Sequence, residues 1–225
     1  MLHICLVESG LELVPKEISK HPLIRRYAKK RGKKPSKVLL DISFHYHAMK
    51  NLKDFNKRGR PDIVHFCLLE ALGSPLNKMA LLRIYVHTYD GKVVFIDPST
   101  RIPKNYIRFV GLMEQLLDKG KVPPNSSSPL LWIREMSVKD LIGHVKPGTV
   151  ILLDEKGKKM SVHELAKKFP IGDNPLILIG GFQRGNISQE IREQADYIVS
   201  IFKETLETWI VISRILCAYE HIYTA

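Results

Sequence analysis

The stretch Leu176-Ile-Leu-Ile-Gly-Gly-Phe-Gln-Arg-Gly185 decides the fold of this chain. Its apolar run is typical of a buried strand, and its three glycines permit positive φ or a close backbone approach to a ligand. A second apolar run at 197–202 predicts another buried strand, and the pattern over 206–223 predicts a long closing helix. Strand, glycine loop, strand, polar loop and helix together form a small-molecule pocket at the carboxyl edge of an α/β sheet. We therefore predict an α/β fold with a cofactor pocket in this region.

The overall composition is that of a soluble globular protein with an excess of positive charge. Of 225 residues, 44% are hydrophobic and 26% are charged, which suits one large domain or a domain with an insertion. The 35 Lys and Arg residues against 23 Asp and Glu residues give a net charge of +12. Such an excess favours a polyanionic partner, most often nucleic acid, although an anionic membrane surface also fits.

The sequence has no pattern that predicts export, membrane insertion or metal binding. No apolar segment approaches the roughly 20 residues that cross a bilayer. The first residues lack the basic region and cleavage site of a signal peptide. Cys5, Cys67 and Cys217 are too few and too scattered for a disulfide framework or a zinc site. We therefore predict buried thiols in a cytoplasmic protein without a membrane anchor or a metal.

A β-hairpin is predicted in the middle of the chain. Apolar and polar residues alternate over 81–88, Asp90-Gly91 marks a tight turn, and 93–96 supplies the return strand. A helix is predicted at 107–117.

A stripe of basic residues leads into that helix. Arg101, Lys104 and Arg108 recur at spacings of three and four, so they share one face wherever the segment is helical. Such a stripe is usually a solvated face, but the hairpin beside it and the basic net charge favour an anion-binding role.

Two further charged features have alternative explanations. In the run HPLIRRYAKKRGKK, from His21 to Lys34, half of the residues are Lys or Arg. This run is either a solvated helix end or a phosphate-contacting patch. Pro61 is well placed to start a helix, and Asp62 is close enough in sequence to orient the Arg60 guanidinium, although such an ion pair is often a weak surface feature.

Several shorter elements complete the predicted order along the chain. They are strands at 2–7, 38–41, 130–135 and 148–154, helices at 43–50 and 66–72, a linker without regular structure at 119–129, a turn at 155–158, and helix starts at Ser137 and Ser161.

Common nucleotide-binding and nucleophilic motifs do not occur in the sequence. Gly180 and Gly185 have the spacing of a triphosphate-binding loop, but Asn186 stands where that loop requires lysine. The glycine pattern also differs from the dinucleotide fingerprint, and no Gly-x-Ser-x-Gly occurs. The histidines at 45, 47, 65 and 87 have no ligand spacing, so we interpret them as structural or surface residues.

Four segments resemble the signatures of one enzyme family. They are Arg60-Pro-Asp-Ile-Val-His65, Gly73-Ser-Pro-Leu-Asn-Lys78, Thr100-Arg-Ile-Pro-Lys104 and Arg108-Phe-Val-Gly-Leu-Met113. They are similar to those of the Nep/Emg family of pseudouridine N1-methyltransferases, which act on small-subunit ribosomal RNA. The resemblance runs from Leu2 to Glu220.

The resemblance implies a fold, a domain organisation and an assembly. The family belongs to the SPOUT class, whose α/β sheet carries a deep trefoil knot at its carboxyl end, so a single SPOUT-type domain over 1–225 is expected. Residues 82–118 are expected to form a hairpin and helix insertion that binds RNA. Residues 206–223 are apolar on more than one face, which fits either a helix fully buried in one monomer or a dimer interface, and the resemblance implies the homodimer.

The resemblance also implies the site residues and the cofactor. S-adenosyl-L-methionine is expected to contact Gly180, Gly185, Ser200, Ile201, Phe202, Lys203, Glu204, Thr205 and Leu206. RNA is expected to contact Arg60, Arg101, Lys104 and Arg108, with Asp62 orienting Arg60. Lys104 and Arg184 stand where arginine and histidine are common in the family.

The implied function is methylation of a pseudouridine N1 during small-subunit ribosome biogenesis. A ribosome-assembly factor that binds RNA without catalysis is the alternative. In methyl transfer the protein mainly aligns the donor and the acceptor and excludes water. The target nucleotide is expected to be looped out or flipped to reach the pocket.

Overall fold

A computed structural model describes residues 1–223 and contains one mixed β-sheet flanked by helices. Within this range the strands are β1 (Leu2–Ser9), β2 (Leu82–Thr88), β3 (Lys92–Ile96), β4 (Lys121–Val122), β5 (Leu131–Glu135), β6 (Thr149–Lys159), β7 (Pro175–Gly180) and β8 (Tyr197–Ser200). The helices are α1 (Pro22–Lys30), α2 (Ile42–Met49), α3 (Pro61–Gly73), α4 (Pro75–Lys78), α5 (Tyr106–Lys119), α6 (Val138–Val145), α7 (Val162–Lys168), α8 (Gln189–Arg192) and α9 (Thr208–Tyr223).

The sheet has a parallel core and an antiparallel extension. Its strand order is β4-β5-β3-β2-β1-β7-β6-β8. Strands β2, β1, β7, β6 and β8 run parallel, so their carboxyl ends meet at one edge. Strands β3, β5 and β4 continue the sheet in antiparallel pairs. The predicted α/β fold is confirmed, as are the predicted hairpin and the buried strand of the glycine stretch.

Alternating strand residues form two core layers, one on each face of the sheet. Ile4 and Leu6 pack with helices α3, α5, α7 and α9. Cys5 and Val7 point to the other face and pack with α6 and α8. Burial on both faces explains why β7 and the first half of β6 are continuous apolar runs rather than alternating ones.

Strand β6 extends beyond its predicted end. The turn predicted at 155–158 is wrong, because the strand continues to Lys159 and pairs again with β8 after a register shift. Gly157 makes this second pairing possible: a Cβ atom there would lie 2.6 Å from the backbone nitrogen of Val199. The glycine therefore serves a close backbone approach, not a turn.

Three other short-range predictions differ from the structure. The strand predicted at 38–41 is wrong, since only one antiparallel bridge, between Leu13 and Leu39, occurs there. The linker predicted at 119–129 contains β4, because the edge of β5 offers it hydrogen-bonding partners. Cys217 is exposed, although Cys5 and Cys67 are buried as predicted.

Helix α9 packs across the sheet and onto neighbouring helices. Ile212, Ile215 and Tyr219 are fully buried against them, and the Tyr219 hydroxyl donates a 2.7 Å hydrogen bond to the Phe169 carbonyl. Ile210 and Ile222 remain 38% and 37% exposed, so part of the apolar surface of the helix has no partner within the described residues. No helix among residues 1–223 has the length and apolar character needed to span a bilayer.

The segment between β1 and α3 forms a small unit with a core of its own. Val14, Ile24, Leu40 and Met49 are among its buried residues. Glu114 of α5 anchors the unit. Its carboxylate is almost fully buried and accepts hydrogen bonds from Arg31 Nη1 at 2.6 Å, Arg31 Nη2 at 3.0 Å, Lys33 Nζ at 2.5 Å and the Leu39 amide at 3.1 Å.

We predict that Glu114→Gln lowers the free energy of unfolding by about 2–3 kcal/mol, because it leaves Arg31 and Lys33 without a buried counterion. Asp118→Asn is the matched control on the same helix. Its partner Lys37 is 47% exposed, so a loss below about 1 kcal/mol is expected. Urea unfolding measures both variants, and equal losses would contradict the anchoring role of Glu114.

Candidate functional site

A cavity of about 560 Å³ opens at the carboxyl edge of β6, β7 and β8. The lining residues come from the middle of β6, from the ends of β7 and β8 and from the loops after β7 and β8. They are 153–155, 179–187 without Gly181, and 199–208 without Lys203, together with Val211 of α9. This volume falls within the usual range of small-molecule sites.

The structure brings together nearly all the residues predicted to hold a cofactor. Of the residues predicted to contact the cofactor, those that line the cavity are Gly180, Gly185, Ser200, Ile201, Phe202, Glu204, Thr205 and Leu206. Lys203 does not line it; its exposed ammonium lies 3.4 Å from the Glu204 carboxylate. Gly185 has φ +127°, a conformation that side chains disfavour.

Hydrogen bonds fix the walls of the cavity. The Thr208 hydroxyl at the start of α9 donates to the Gly180 carbonyl at 2.9 Å. The Ser200 hydroxyl donates to the Phe202 carbonyl at 2.7 Å and shapes the turn after β8. These contacts hold the ends of β7, β8 and α9 together, so the cavity is largely preformed.

Sequence reasoning missed the cavity wall that β6 forms where it shifts register, between Leu153 and Lys158. Asp154 and Glu155 line the cavity there, and Glu155 accepts a hydrogen bond from the Thr205 hydroxyl on the opposite wall. Arg192 pairs with Asp154 at 2.5 Å. Only the position of β6 between β7 and β8 could have revealed this wall, and strand order is a tertiary property.

The lining carries more negative than positive charge. Asp154, Glu155, Glu204 and Glu207 are its carboxylates, and Arg184 is its cationic side chain. A concave surface of this kind favours a ligand that bears positive charge. The backbone walls and these carboxylates together fit a small cationic cofactor.

Backbone hydrogen bonds connect the glycine loop to Arg60. The Gly181 amide donates to the Val7 carbonyl at 2.8 Å, and the Gly10 amide donates to the Gly181 carbonyl at 3.2 Å. The Arg60 amide then donates to the Gly10 carbonyl at 3.0 Å. Arg60 therefore lies at a fixed position relative to the cavity.

Arg60 and Asp62 form the predicted ion pair at the start of α3. The guanidinium donates from Nε and Nη2 to the two carboxylate oxygens at 2.8 and 2.7 Å, and its side chain is 16% exposed. These hydrogen bonds raise the pKa of Arg60 above its usual value, with a further contribution from Glu207 of the cavity lining. The pair orients the guanidinium beside the cavity.

The basic stripe lies mainly on a loop. Arg101 and Lys104 precede α5 and Arg108 lies in its first turn, so the three do not share a helical face. All three side chains are exposed, and none forms an ion pair within residues 1–223.

Contacts from two sides hold this loop beside the start of α3. His65 of α3 forms a 2.7 Å hydrogen bond with the Pro103 carbonyl, and the Tyr106 hydroxyl donates to Asp41 at 2.5 Å. Burial and this carboxylate raise the pKa of Tyr106, which therefore stays a hydrogen-bond donor. The stripe and the Arg60–Asp62 pair thus belong to one surface next to the cavity.

The basic run of 21–34 divides into two groups. Arg31 and Lys33 bind Glu114 and have a structural role. Arg25, Arg26, Lys29 and Lys30 form an exposed face of α1. The solvated face and the phosphate-contacting patch both fit these four exposed residues, whereas Arg31 and Lys33 fit neither.

Comparison with known proteins identifies the family. A model of the EMG1/NEP1 methyltransferase family matches residues 4–220. The chain belongs to the EMG1/NEP1 methyltransferase family. The predicted family and the methyltransferase class are thereby confirmed.

Relatives in this family match along their full length. The ribosomal RNA small subunit methyltransferase Nep1 of Staphylothermus marinus is 54% identical, with 99% of this chain and 96% of that protein covered. The protein of the same name from Thermococcus onnurineus is 46% identical, with 98% and 99% covered. A crystal structure of Archaeoglobus fulgidus Nep1 bound to S-adenosylhomocysteine superposes with a TM-score of 0.87 at 36% identity and covers 99% of each chain.

We predict that Gly181→Ala lowers the free energy of unfolding by about 1–3 kcal/mol, because the added Cβ atom overpacks a buried contact. It would lie 2.1 Å from Ser9 Oγ and 3.1 Å from Ser9 Cα. The control is Gly143→Ala in α6, where no atom lies within 4 Å and a gain of about 0.5–1 kcal/mol is expected. Denaturant unfolding of both variants measures these changes. An unchanged free energy of unfolding in Gly181→Ala would refute the close approach of Gly181 to Ser9.

Proposed function

We propose that this chain transfers a methyl group from S-adenosyl-L-methionine to N1 of a pseudouridine in small-subunit ribosomal RNA and thereby acts in small-subunit biogenesis. The proposal rests on one observation: the acidic cavity lies next to Arg60 and the exposed cations near it. The naming of the relatives as ribosomal RNA small subunit methyltransferases, and the S-adenosylhomocysteine bound to a family member, support methyl transfer to this RNA.

The cofactor pocket is proposed to be the cavity at the carboxyl edge. The backbone at Gly180 and Gly185 and the loop from Ser200 to Leu206 would hold S-adenosylmethionine, and the lining carboxylates would complement its positive charge. When bound, this cofactor supplies a methyl group that its sulfonium already activates. The protein orients the donor and excludes water from it.

The RNA site is proposed to be the surface of Arg60, Arg101, Lys104 and Arg108. Arg101, Lys104 and Arg108 are exposed and form no ion pair within residues 1–223, so they are free to contact phosphates, which would position the RNA without reading its sequence. The fork of Arg60 is already oriented by Asp62, whereas Lys104 offers a less directional point charge. A flipped nucleotide would then reach the neighbouring cavity.

Asp62 is proposed to orient Arg60 and not to remove the N1 proton. Both of its carboxylate oxygens already accept hydrogen bonds from the guanidinium. The geometry therefore assigns this carboxylate to holding the guanidinium in place. The proton that leaves N1 when the methyl group arrives would pass to solvent at the mouth of the cavity.

We also propose that the chain forms the trefoil knot that the family resemblance implies. Strand β8 lies outside β6 in the sheet, but the chain returns from it to the end of β7, where Thr208 contacts Gly180. On this path it contacts β6 itself through the hydrogen bond from Thr205 to Glu155. A single SPOUT-type domain over 1–225 is proposed with it.

A homodimer and a cytoplasmic location are also proposed. The partly exposed Ile210 and Ile222 of α9, and the exposed Phe66 ring 5.4 Å from the Trp209 ring, offer an apolar surface for a second copy.

Residues 82–118 remain proposed as an RNA-binding insertion, but β2 at its start is part of the parallel core. The basic loop and α5 supply the support for this role.

We predict that labelled S-adenosylmethionine transfers its methyl group to an RNA hairpin that contains pseudouridine and not to the same hairpin with uridine. The reason is that N1 of pseudouridine carries the replaceable proton. Scintillation counting of the recovered RNA measures the transfer. Tight RNA binding without label in either hairpin would support a non-catalytic assembly factor, and equal labelling would refute the N1 specificity.

We predict that Arg101→Ala weakens RNA binding and lowers the salt slope of log K by about 0.7–0.9, the value of one phosphate contact. Cofactor affinity is expected to stay unchanged, since Arg101 does not line the cavity. Lys139→Ala, an exposed cation on α6, is the control. Titrations with RNA at several salt concentrations measure the RNA affinity and its salt slope. Weakened cofactor binding in calorimetry would contradict this division of the site.

A further inference from the structure

A partly buried ion pair between Glu8 and Lys57 lies behind the glycine loop. Lys57 Nζ lies 2.7 Å from Glu8 Oε2, and each side chain is only 14% exposed. Glu8 belongs to the end of β1, and Lys57 belongs to the unit that connects β1 to α3. Neither residue lines the cavity, so the pair can affect the site only through its neighbours.

Those neighbours are the residues of the glycine loop itself. Lys57 Nζ lies 4.8 Å from the centre of the Phe182 ring, and the Lys57 Cε atom is 3.2 Å from the position of a Cβ at Gly185. The Glu8 carboxylate also accepts a 3.3 Å hydrogen bond from the Ser188 amide. The Arg184 amide donates to the Asn56 carbonyl at 3.4 Å. The pair thus contacts both ends of a loop that forms one cavity wall.

The backbone of Glu8 adopts an uncommon conformation that directs its carboxylate to this position. Its φ is +51°, and the pairing of β1 with β2 shifts register between Leu6 and Ser9. The Glu8 amide donates to His87 Nδ1 at 3.3 Å. The left-handed region disfavours a residue with a side chain, so the surroundings of Glu8 must hold its backbone there.

The same short segment reaches the proposed RNA site. Lys57 precedes Arg60 by three residues, and Arg58 between them forms a buried pair with Glu12 at 2.7 and 2.6 Å. The Arg60 amide is fixed by the Gly10 carbonyl. Residues 57–60 therefore form a rigid connection between the glycine loop and the Arg60 guanidinium.

We propose that Lys57 is a positioning residue that holds the glycine loop in its ligand-binding shape and couples methyl-donor binding to RNA binding. The proposal rests on the proposed function. The loop has no helix or strand over 181–187, so its conformational freedom must be restricted by contacts before it can bind a ligand tightly. Because residues 57–60 contact both sites, each ligand restricts a segment that the other also needs, and the two affinities rise together.

Calorimetry with S-adenosylmethionine tests the positioning role. Lys57→Met keeps the aliphatic stem and removes the charge, and we expect its Kd for the cofactor to rise about ten-fold, within the range for coupled residues outside a site. Lys57→Arg should restore most of the affinity, because it keeps the charge. Lys53→Met, an exposed lysine in the same unit, should bind as the wild type does. A Kd within two-fold of the wild type for Lys57→Met would overturn the positioning role.

The coupling is tested with a pseudouridine hairpin in the presence and absence of S-adenosylhomocysteine. In the wild type the cofactor product should tighten hairpin binding about five-fold or more, and the hairpin should tighten cofactor binding by the same factor. In Lys57→Met both factors should approach one. An unchanged factor in this variant would overturn the coupling.

Glu8→Gln provides the second variant if Lys57→Met does not fold. It keeps the shape of the side chain and the acceptor for Ser188, and it should lose cofactor affinity and coupling in the same way. Wild-type protein that binds no cofactor would overturn the proposed function together with this inference. Cofactor binding and methyl transfer that do not depend on Glu8 or Lys57 would overturn this inference alone.

Discussion

The structure depends on the close approach of the chain at the carboxyl ends of β1 and β7. A Cβ atom on Gly181 would lie 2.1 Å from Ser9 Oγ, and one on Gly10 would lie 2.9 Å from the Arg60 nitrogen. Only glycine lets three backbone segments meet here and exchange hydrogen bonds. Because these segments lead into the glycine loop and into α3, this contact fixes the distance between the cavity and Arg60.

Charge is separated across this contact in a way that suits two different ligands. Carboxylates such as Glu155 and Glu207 line the cavity, whereas exposed cations such as Arg101 and Arg108 surround Arg60. A cationic methyl donor and an anionic RNA would each meet complementary charge. Glu207 lies at the boundary and attracts Arg60, so the two halves of the site are electrostatically connected.

Local signals in the sequence predicted the elements that local chemistry determines. The helix start at Ser137, the capping box at Ser161, the apolar strand of the glycine stretch and the Arg60–Asp62 pair were all predictable, because each involves residues close in sequence. Features that depend on strand order or on the packing of distant segments could not be predicted in this way. The wall at Asp154 and the side chain of Lys57 reach the site only because β6 and the unit after β1 pack there, and no residue near them in sequence signals it.

One edge of the sheet is proposed to hold two adjacent sites, one for the methyl donor and one for RNA. Amide hydrogen exchange with each ligand alone tests it most directly. S-adenosylhomocysteine should protect 180–187 and 200–208 and leave 101–108 unchanged, whereas a pseudouridine hairpin should protect 101–108 and the start of α3 at 60–66. Protection of 101–108 by the cofactor product, or hairpin protection that avoids both 60–66 and 101–108, would contradict the account.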